Sequence, residues 1–321
     1  MTVAPIELPE PAGRTAAGST RPGRTPRRRE ARWPAYVFLT PWMIGALAVT
    51  LVPMAVSLYL SFTSYDMFSA PHWVGLRNYR EMLTSDPRFW RSVLTTLKYV
   101  VIAVPLKLAL ALGAALLLRR LSRGRGFYRS AFYAPSLLGA SMSIALVFRA
   151  LFNDGGTVDK GLSTFGIHIG GWVGNPHLAT YVVVLLTIWQ FGAPMVIFLA
   201  GLQQISPELY EAAALDGAGP WRQFAAITVP MLSPVVFFNL VLEMIQSFQV
   251  FTPAFVVSGG NGGPADSTLF YTLYLYERGF TASHMGYASA MAWLMLLAIA
   301  AVTAVMFKVS RSWVFYADEA E

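Results

Sequence analysis

Few residues in this 321-residue chain can do chemistry, and their spacing excludes most of it. There is no cysteine, which removes a disulfide scaffold, a thiolate metal site and a thiol nucleophile together. The four histidines, His72, His168, His177 and His284, lack metal-ligand spacing and read as polar loop residues. Neither an H-E-x-x-H helix nor a G-x-S-x-G elbow occurs. The four lysines, Lys98, Lys107, Lys160 and Lys308, follow Leu, Leu, Asp and Phe. A phosphate-binding loop needs Gly before its Lys, so that backbone amides can wrap the phosphates. The chain is therefore expected to hold no metal or cofactor and to hydrolyse nothing itself.

What remains is a set of polar side chains inside apolar segments, where ionisable groups are costly and mark function by default. Asn239, Glu243, Gln246, Gln249 and Pro253 recur at steps of four, three, three and four, which puts them on one helical face. Phe248, Phe251 and Thr252 lie close by. A sugar site wants hydrogen-bonding groups beside aromatic faces, because a pyranose has polar edges and apolar faces. The stripe reads either as a substrate path or as helix–helix hydrogen bonding, which contributes about 0.6–2 kcal/mol per contact. Lys107, just after Pro105, needs a partner such as Glu243 or a water-filled cavity. Trp189 and Gln190 precede Gly192 and Pro194, a combination that reads as a hinge or as a packing kink.

The elements that must position these residues are membrane spans. The chain is 55% hydrophobic and 13% charged, against about 25% charged in a soluble domain, and its mean hydropathy is +0.50. Six apolar stretches are long enough to cross a bilayer: about 35–62, 92–118, 129–151, 178–203, 231–257 and 284–309. Residues 1–32 carry seven arginines among Pro, Gly, Thr and Ala, the composition of a disordered tail. The net charge of +7 is distributed over segments between apolar runs, which points to topology rather than to nucleic acid. Fifteen Arg and Lys fall on the side of the tail, the 119–129 link, Arg222 and residues 308–311, against six on the other side. Both termini, including the short tail 318–321, are expected in the cytoplasm.

The most informative segment, Ser206 to Pro234, lies between the fourth and fifth spans. Ser206 suits a helix N-cap with Pro207 at the first helical position, and Glu208 and Glu211 favour the positive end of the dipole. Gly217 and Gly219 can stop the helix, and Pro220 can start another. Taken by itself, this is an interfacial elbow with a small-residue surface at Ala212, Ala213, Ala214 and Ala218.

The order Glu211-Ala212-Ala213, Gly217, Ile227 and Pro230, with Asp216 and Ala218 flanking the Gly, resembles the EAA loop of ABC importer permeases; Val229 replaces a frequent Leu. The resemblance runs over about residues 33–317. It includes Thr40-Pro41-Trp42, the segment from Trp73 to Tyr79, the segment from Arg123 to Arg129, the Gly-rich Ser258 to Pro264, and Met285 to Ala290. Within the carbohydrate type, it is more like the first permease of maltose and glycerol-phosphate systems than the second.

That resemblance implies an all-α integral membrane protein with six transmembrane helices and a cytoplasmic coupling loop over 205–230, of the type I importer kind, in a bacterial inner membrane. It implies a second permease subunit, two copies of an ATPase that bind ATP and Mg, an extracytoplasmic solute-binding protein and a carbohydrate or polyol substrate. By it, Glu211 contacts the ATPase and Gly217 sets the bend between coupling helices. The polar stripe, with Lys107 and Gln190, becomes a candidate substrate path. A glycerol-phosphate substrate is the alternative that Lys107 keeps open. An ion-coupled secondary transporter is a further one, for which no internal repeat is seen.

Overall fold

A computed structural model describes residues 33–121, 123–139, 141–167 and 170–315. The basic segment 1–32, His168 and residues 316–321 lie outside the described residues, and with them both expected tails. The chain divides into two units at Val52. In the first, α1 (Trp33–Ala46) is followed by one π-helical turn, Leu47–Leu51. The second begins one residue into α2 (Val52–Ser61), which leads to a two-residue antiparallel ribbon, Thr63–Ser64 with His72–Trp73.

Helices follow almost without interruption: α3 (Arg77–Thr84), α4 (Pro87–Arg120), α5 (Arg125–Leu138), α6 (Met142–Phe152) and α7 (Thr157–Ser163). Next come α8 (Ala179–Trp189), α9 (Gly192–Gln204), α10 (Pro207–Leu215) and α11 (Pro220–Gln223). A π turn, Phe224–Thr228, joins α11 to α12 (Val229–Phe248); α13 (Thr252–Ser258), α14 (Tyr271–Tyr276) and α15 (Met285–Ser310) complete the chain.

The core is organised around α4. Asp86 caps it, Pro87 opens it, and Arg119 and Arg120 complement the negative end of its dipole. Tyr99, Val100, Val104 and Leu118 are buried in the contact with α8, α9 and α12. Small side chains at Ala103, Ala111 and Ala115 keep α4 slim and let its neighbours approach.

Four described helices, Val37–Ser61, Pro87–Arg120, Pro220–Phe248 and Met285–Ser310, are long and apolar enough to cross a membrane. Two bent pairs bring the number to six if each pair crosses once: Arg125–Leu138 with Met142–Ser163, bent by 95°, and Ala179–Trp189 with Gly192–Gln204, bent by 41°. The spans expected over about 129–151 and 178–203 are thus each built from two helices, the second pair meeting at the segment 189–194 that reads as a hinge or kink. The helix expected over 231–257 ends at Phe248. Pro253 has no N–H for the carbonyl of Gln249, so the helix stops and restarts as α13.

At the start of α4 a polar knot gathers four segments. Asp86 Oδ1 accepts the amides of Arg88 and Phe89 at 3.0 and 3.1 Å, while Oδ2 accepts the hydroxyls of Tyr274 and Tyr287 at 2.5 and 2.6 Å. Arg88 bridges Asp266 at 3.0 Å and Glu277 at 2.5 Å. Burial raises the Asp86 pKa. The bonds from Tyr274, Tyr287 and the Phe89 amide, with the Arg278 charge, outweigh that and hold it below the ordinary carboxylate value.

Two outcomes follow from this packing. A Cβ on Gly192 would lie 2.1 Å from the Phe132 carbonyl oxygen, whereas one on Gly113 would meet nothing within 4 Å. Gly192→Ala should therefore cost about 1–3 kcal/mol and Gly113→Ala nothing, as read by thermal unfolding in detergent. Because the Asp86 pKa is lowered by folding, its stabilisation is complete above about pH 4 and is lost as pH falls through the folded value. Asp86→Asn should lower stability at neutral pH and flatten the acid limb of the pH–stability profile.

Candidate translocation path and coupling loop

The loop between α9 and α12 is a helix, a bend and a helix. The Ser206 hydroxyl accepts the Glu208 amide at 3.3 Å and starts α10. Gly217 adopts φ +76°, a left-handed conformation that ends α10, and its amide and that of Ala218 return to the carbonyls of Ala214 and Ala213 at 3.0 and 2.8 Å. Pro220 begins the next helix. Glu211, Ala212, Asp216 and Gly217 are exposed, and Ala213 and Ala218 are half-buried. Leu215 and Trp221 stand 91% and 79% exposed on either side of the bend, an apolar surface that no described residue covers.

Two residues that the spacing does not single out fix this loop to the bundle. Tyr210 receives a hydrogen bond from Arg119 Nη1 at 3.0 Å, lies under that guanidinium at 4.7 Å, and meets Thr228 Oγ1 at 3.0 Å. A tyrosine among the acidic and small residues of α10 is the trace this leaves in the sequence, and it is a weak one.

From Pro220 the helix continues to Phe248 and carries the polar stripe. Lys107 Nζ lies 2.8 Å from Glu243 Oε2, with both side chains 8% exposed, so α4 and α12 are joined by a buried ion pair. The amide of Asn239 turns back to the Val235 carbonyl at 3.1 Å. Gln246 is exposed on α12, and Gln249 is exposed beyond its end. The five-residue stripe is therefore not one helical face, because the backbone leaves the helix at Gln249. Phe248 instead lines an apolar groove with Trp90 and Leu294. Phe251 packs its ring, tilted, at 5.3 Å from Tyr276 and 5.5 Å from Phe255, next to Thr252 at the head of α13.

Gln190 stands apart from that group, at the α8–α9 break. Pro194 cannot donate to the Gln190 carbonyl, and the Ser136 hydroxyl donates to it instead at 3.1 Å while accepting the Ala193 amide at 2.9 Å. The Gln190 side chain donates to the carbonyls of Gly139 and Leu186 at 3.2 and 3.1 Å. Two helix breaks are thus bridged by two side chains, Ser136 and Gln190.

Removing one member of the buried pair leaves an uncompensated charge. Lys107→Met should cost about 3–5 kcal/mol, and Lys107→Met with Glu243→Leu should regain most of it. Thermal unfolding of the purified protein reads both; additive losses would show that the pair is not coupled.

The model of the family described as "Binding-protein-dependent transport system inner membrane component" matches residues 83–315. The probable ABC transporter permease protein YesP of Bacillus subtilis (strain 168) is 46% identical over 287 residues, 89% of this chain and 93% of that protein. The trehalose/maltose transport system permease protein MalF of Thermococcus litoralis is 31% identical, over 88% of this chain and 95% of that protein. A solved chain of a bacterial alginate ABC transporter, in complex with an alginate pentasaccharide-bound periplasmic protein, shares the fold. Its TM-score is 0.73 at 21% identity, with 88% of this chain and 95% of that chain covered. With most of its length matched in these ways, the chain belongs to the binding-protein-dependent transport system inner membrane components, as an ABC transporter permease.

Proposed function

We propose that this permease forms half of the pathway of an ATP-driven importer for an oligosaccharide, disaccharide or polyol. The observation that carries the proposal is the continuity of one helix, Pro220–Phe248, from the exposed bend at Gly217 to the polar residues Glu243 and Gln246. A continuous helix of this kind connects a displacement at the loop to the path. Relatives named for trehalose and maltose and for starch degradation products support a carbohydrate. The exposed amides Gln246 and Gln249, close in sequence to the Phe251 ring that packs on Tyr276, suit a saccharide, with hydrogen bonds at its edges and rings at its faces. Lys107, the cation that would favour a glycerol phosphate, is neutralised by Glu243.

The partners of this importer are a second permease, two copies of an ATPase that hold ATP and Mg, and an extracytoplasmic binding protein that delivers the sugar. The ATPase seats on Glu211, Asp216 and the apolar pair Leu215 and Trp221, which are exposed around the bend. The arginine-rich link 119–129 and the basic tail support a cytoplasmic location for both termini.

Affinity purification of the tagged chain from its native membrane should bring down a second permease and an ATPase; recovery of the chain alone would oppose the proposal. Gly217→Val forces a β-branched residue into the left-handed region, at about 1–2 kcal/mol, with open space around it. Transport should fall at least tenfold while ATP hydrolysis persists, and Gly217→Asn, which tolerates that region, should retain most transport.

A further inference from the structure

Arg119, Arg120, Arg123, Arg125 and Arg129 stand around the α4–α5 link with no acidic residue among them. The structure engages two of them internally. Arg119 is held by Tyr210, and Arg125 donates to the carbonyls of Leu121 and Arg119 at 2.8 and 3.0 Å, closing the end of α4. Arg129 has neither an ion pair nor a hydrogen bond to any described residue, and it is exposed.

Arg129 lies on one face of α5 with Gly126, Ser130 and Tyr133, and across from it stand Ala193, Val196 and Ile197 of α9. Between the two helices runs a groove of about 640 Å³. One wall offers a guanidinium and two hydroxyls, and the other is aliphatic. Phe127 and Tyr128, 75% and 44% exposed, flank the same turn, as aromatic residues do at the level of lipid headgroups. A ligand complementary to this groove has an anionic head and a long apolar tail.

We infer that the groove binds an anionic phospholipid of the cytoplasmic leaflet. Its phosphate sits on Arg129 and Ser130, and an acyl chain lies along Ala193, Val196 and Ile197. Basic pockets between helices on the cytoplasmic side suit such headgroups, and the charge and the apolar wall here are contributed together by two neighbouring helices. A protein segment would have to bring an acidic group and an apolar stripe at matching positions, whereas one lipid supplies both. The inference rests on the cytoplasmic orientation proposed above.

The test uses the full chain with whatever subunits accompany it, in nanodiscs of phosphatidylcholine containing a photoactivatable phosphatidylglycerol. Labelling should fall on peptides spanning 126–133 or 193–197. It should drop about fivefold in Arg129→Gln, survive in Arg129→Lys, and resist excess inorganic phosphate. Four results would overturn the inference. These are equal labelling of wild type and Arg129→Gln, equal labelling by a phosphatidylcholine probe, displacement by phosphate, or occupation of the groove by a co-purified subunit. Orientation is checked separately. Arg123→Cys, the single thiol in this cysteine-free chain, should be protected from an impermeant maleimide in intact cells. Thermal stability and retained partners of each variant guard against misfolding, and because labelling is scored on this chain, the result does not depend on which substrate is carried.

Discussion

Hydrocarbon offers a backbone no hydrogen-bond partner, so each carbonyl that a proline deprives of its donor must find another within the protein. Much of this structure follows from that demand. Pro194 frees the carbonyl of Gln190, and the Ser136 hydroxyl reaches across from α5 to meet it. Pro234 frees the carbonyl of Pro230, and the Ser233 hydroxyl donates to it at 2.7 Å while accepting the amide of Phe315 at 2.9 Å. The first exchange fastens a broken span to its neighbour. The second fastens the end of the described chain to the base of α12. Prolines that weaken individual helices thereby specify which helices lie together.

The same demand separates structural polar residues from those free to meet a ligand. Asn239, Glu243 and Gln190 each have their polar groups engaged within the fold, on Val235, Lys107, and the Gly139 and Leu186 carbonyls. Gln246 and Gln249 remain exposed where the helix ends, a few residues before the aromatic group of Phe251, Phe255 and Tyr276 begins. In the proposed importer, the polar groups left open to a sugar therefore lie at the α12–α13 break rather than along the length of α12. Broken helices at membrane depth are where backbone and side-chain polarity can face a cavity.

The two ends of α4 are held differently. At its start, Asp86, Arg88, Asp266, Glu277, Tyr274 and Tyr287 form a closed charge and hydroxyl network. At its end, Arg119 and Tyr210 hold a loop whose outer surface is exposed. Lys107 and Glu243 form a fixed point between these ends, tying α12 to α4. In the proposed importer, motion at the Gly217 bend would reach α4 through Tyr210 and Glu243 together.

Local chemistry was enough to read a large part of this from the sequence. Apolar length set the membrane class, and Ser206, Pro207, Gly217 and Pro220 set the helix, bend and helix of the loop, because caps and left-handed glycines act within a few residues. The pairing of Lys107 with Glu243 could be named only as one option, since 136 positions separate them and only packing decides which helices touch. The single face assigned to Asn239 through Pro253 failed because periodicity assumes an unbroken helix, and Pro253 breaks it. Gln190 was legible as a polar residue at a kink, but its two carbonyl partners and the answering hydroxyl of Ser136 come from a neighbouring span. Sequence alone determined the class, the loop and the stock of polar groups; the tertiary structure decided which of them satisfy the backbone and which stay open, because that depends on the neighbour each helix acquires.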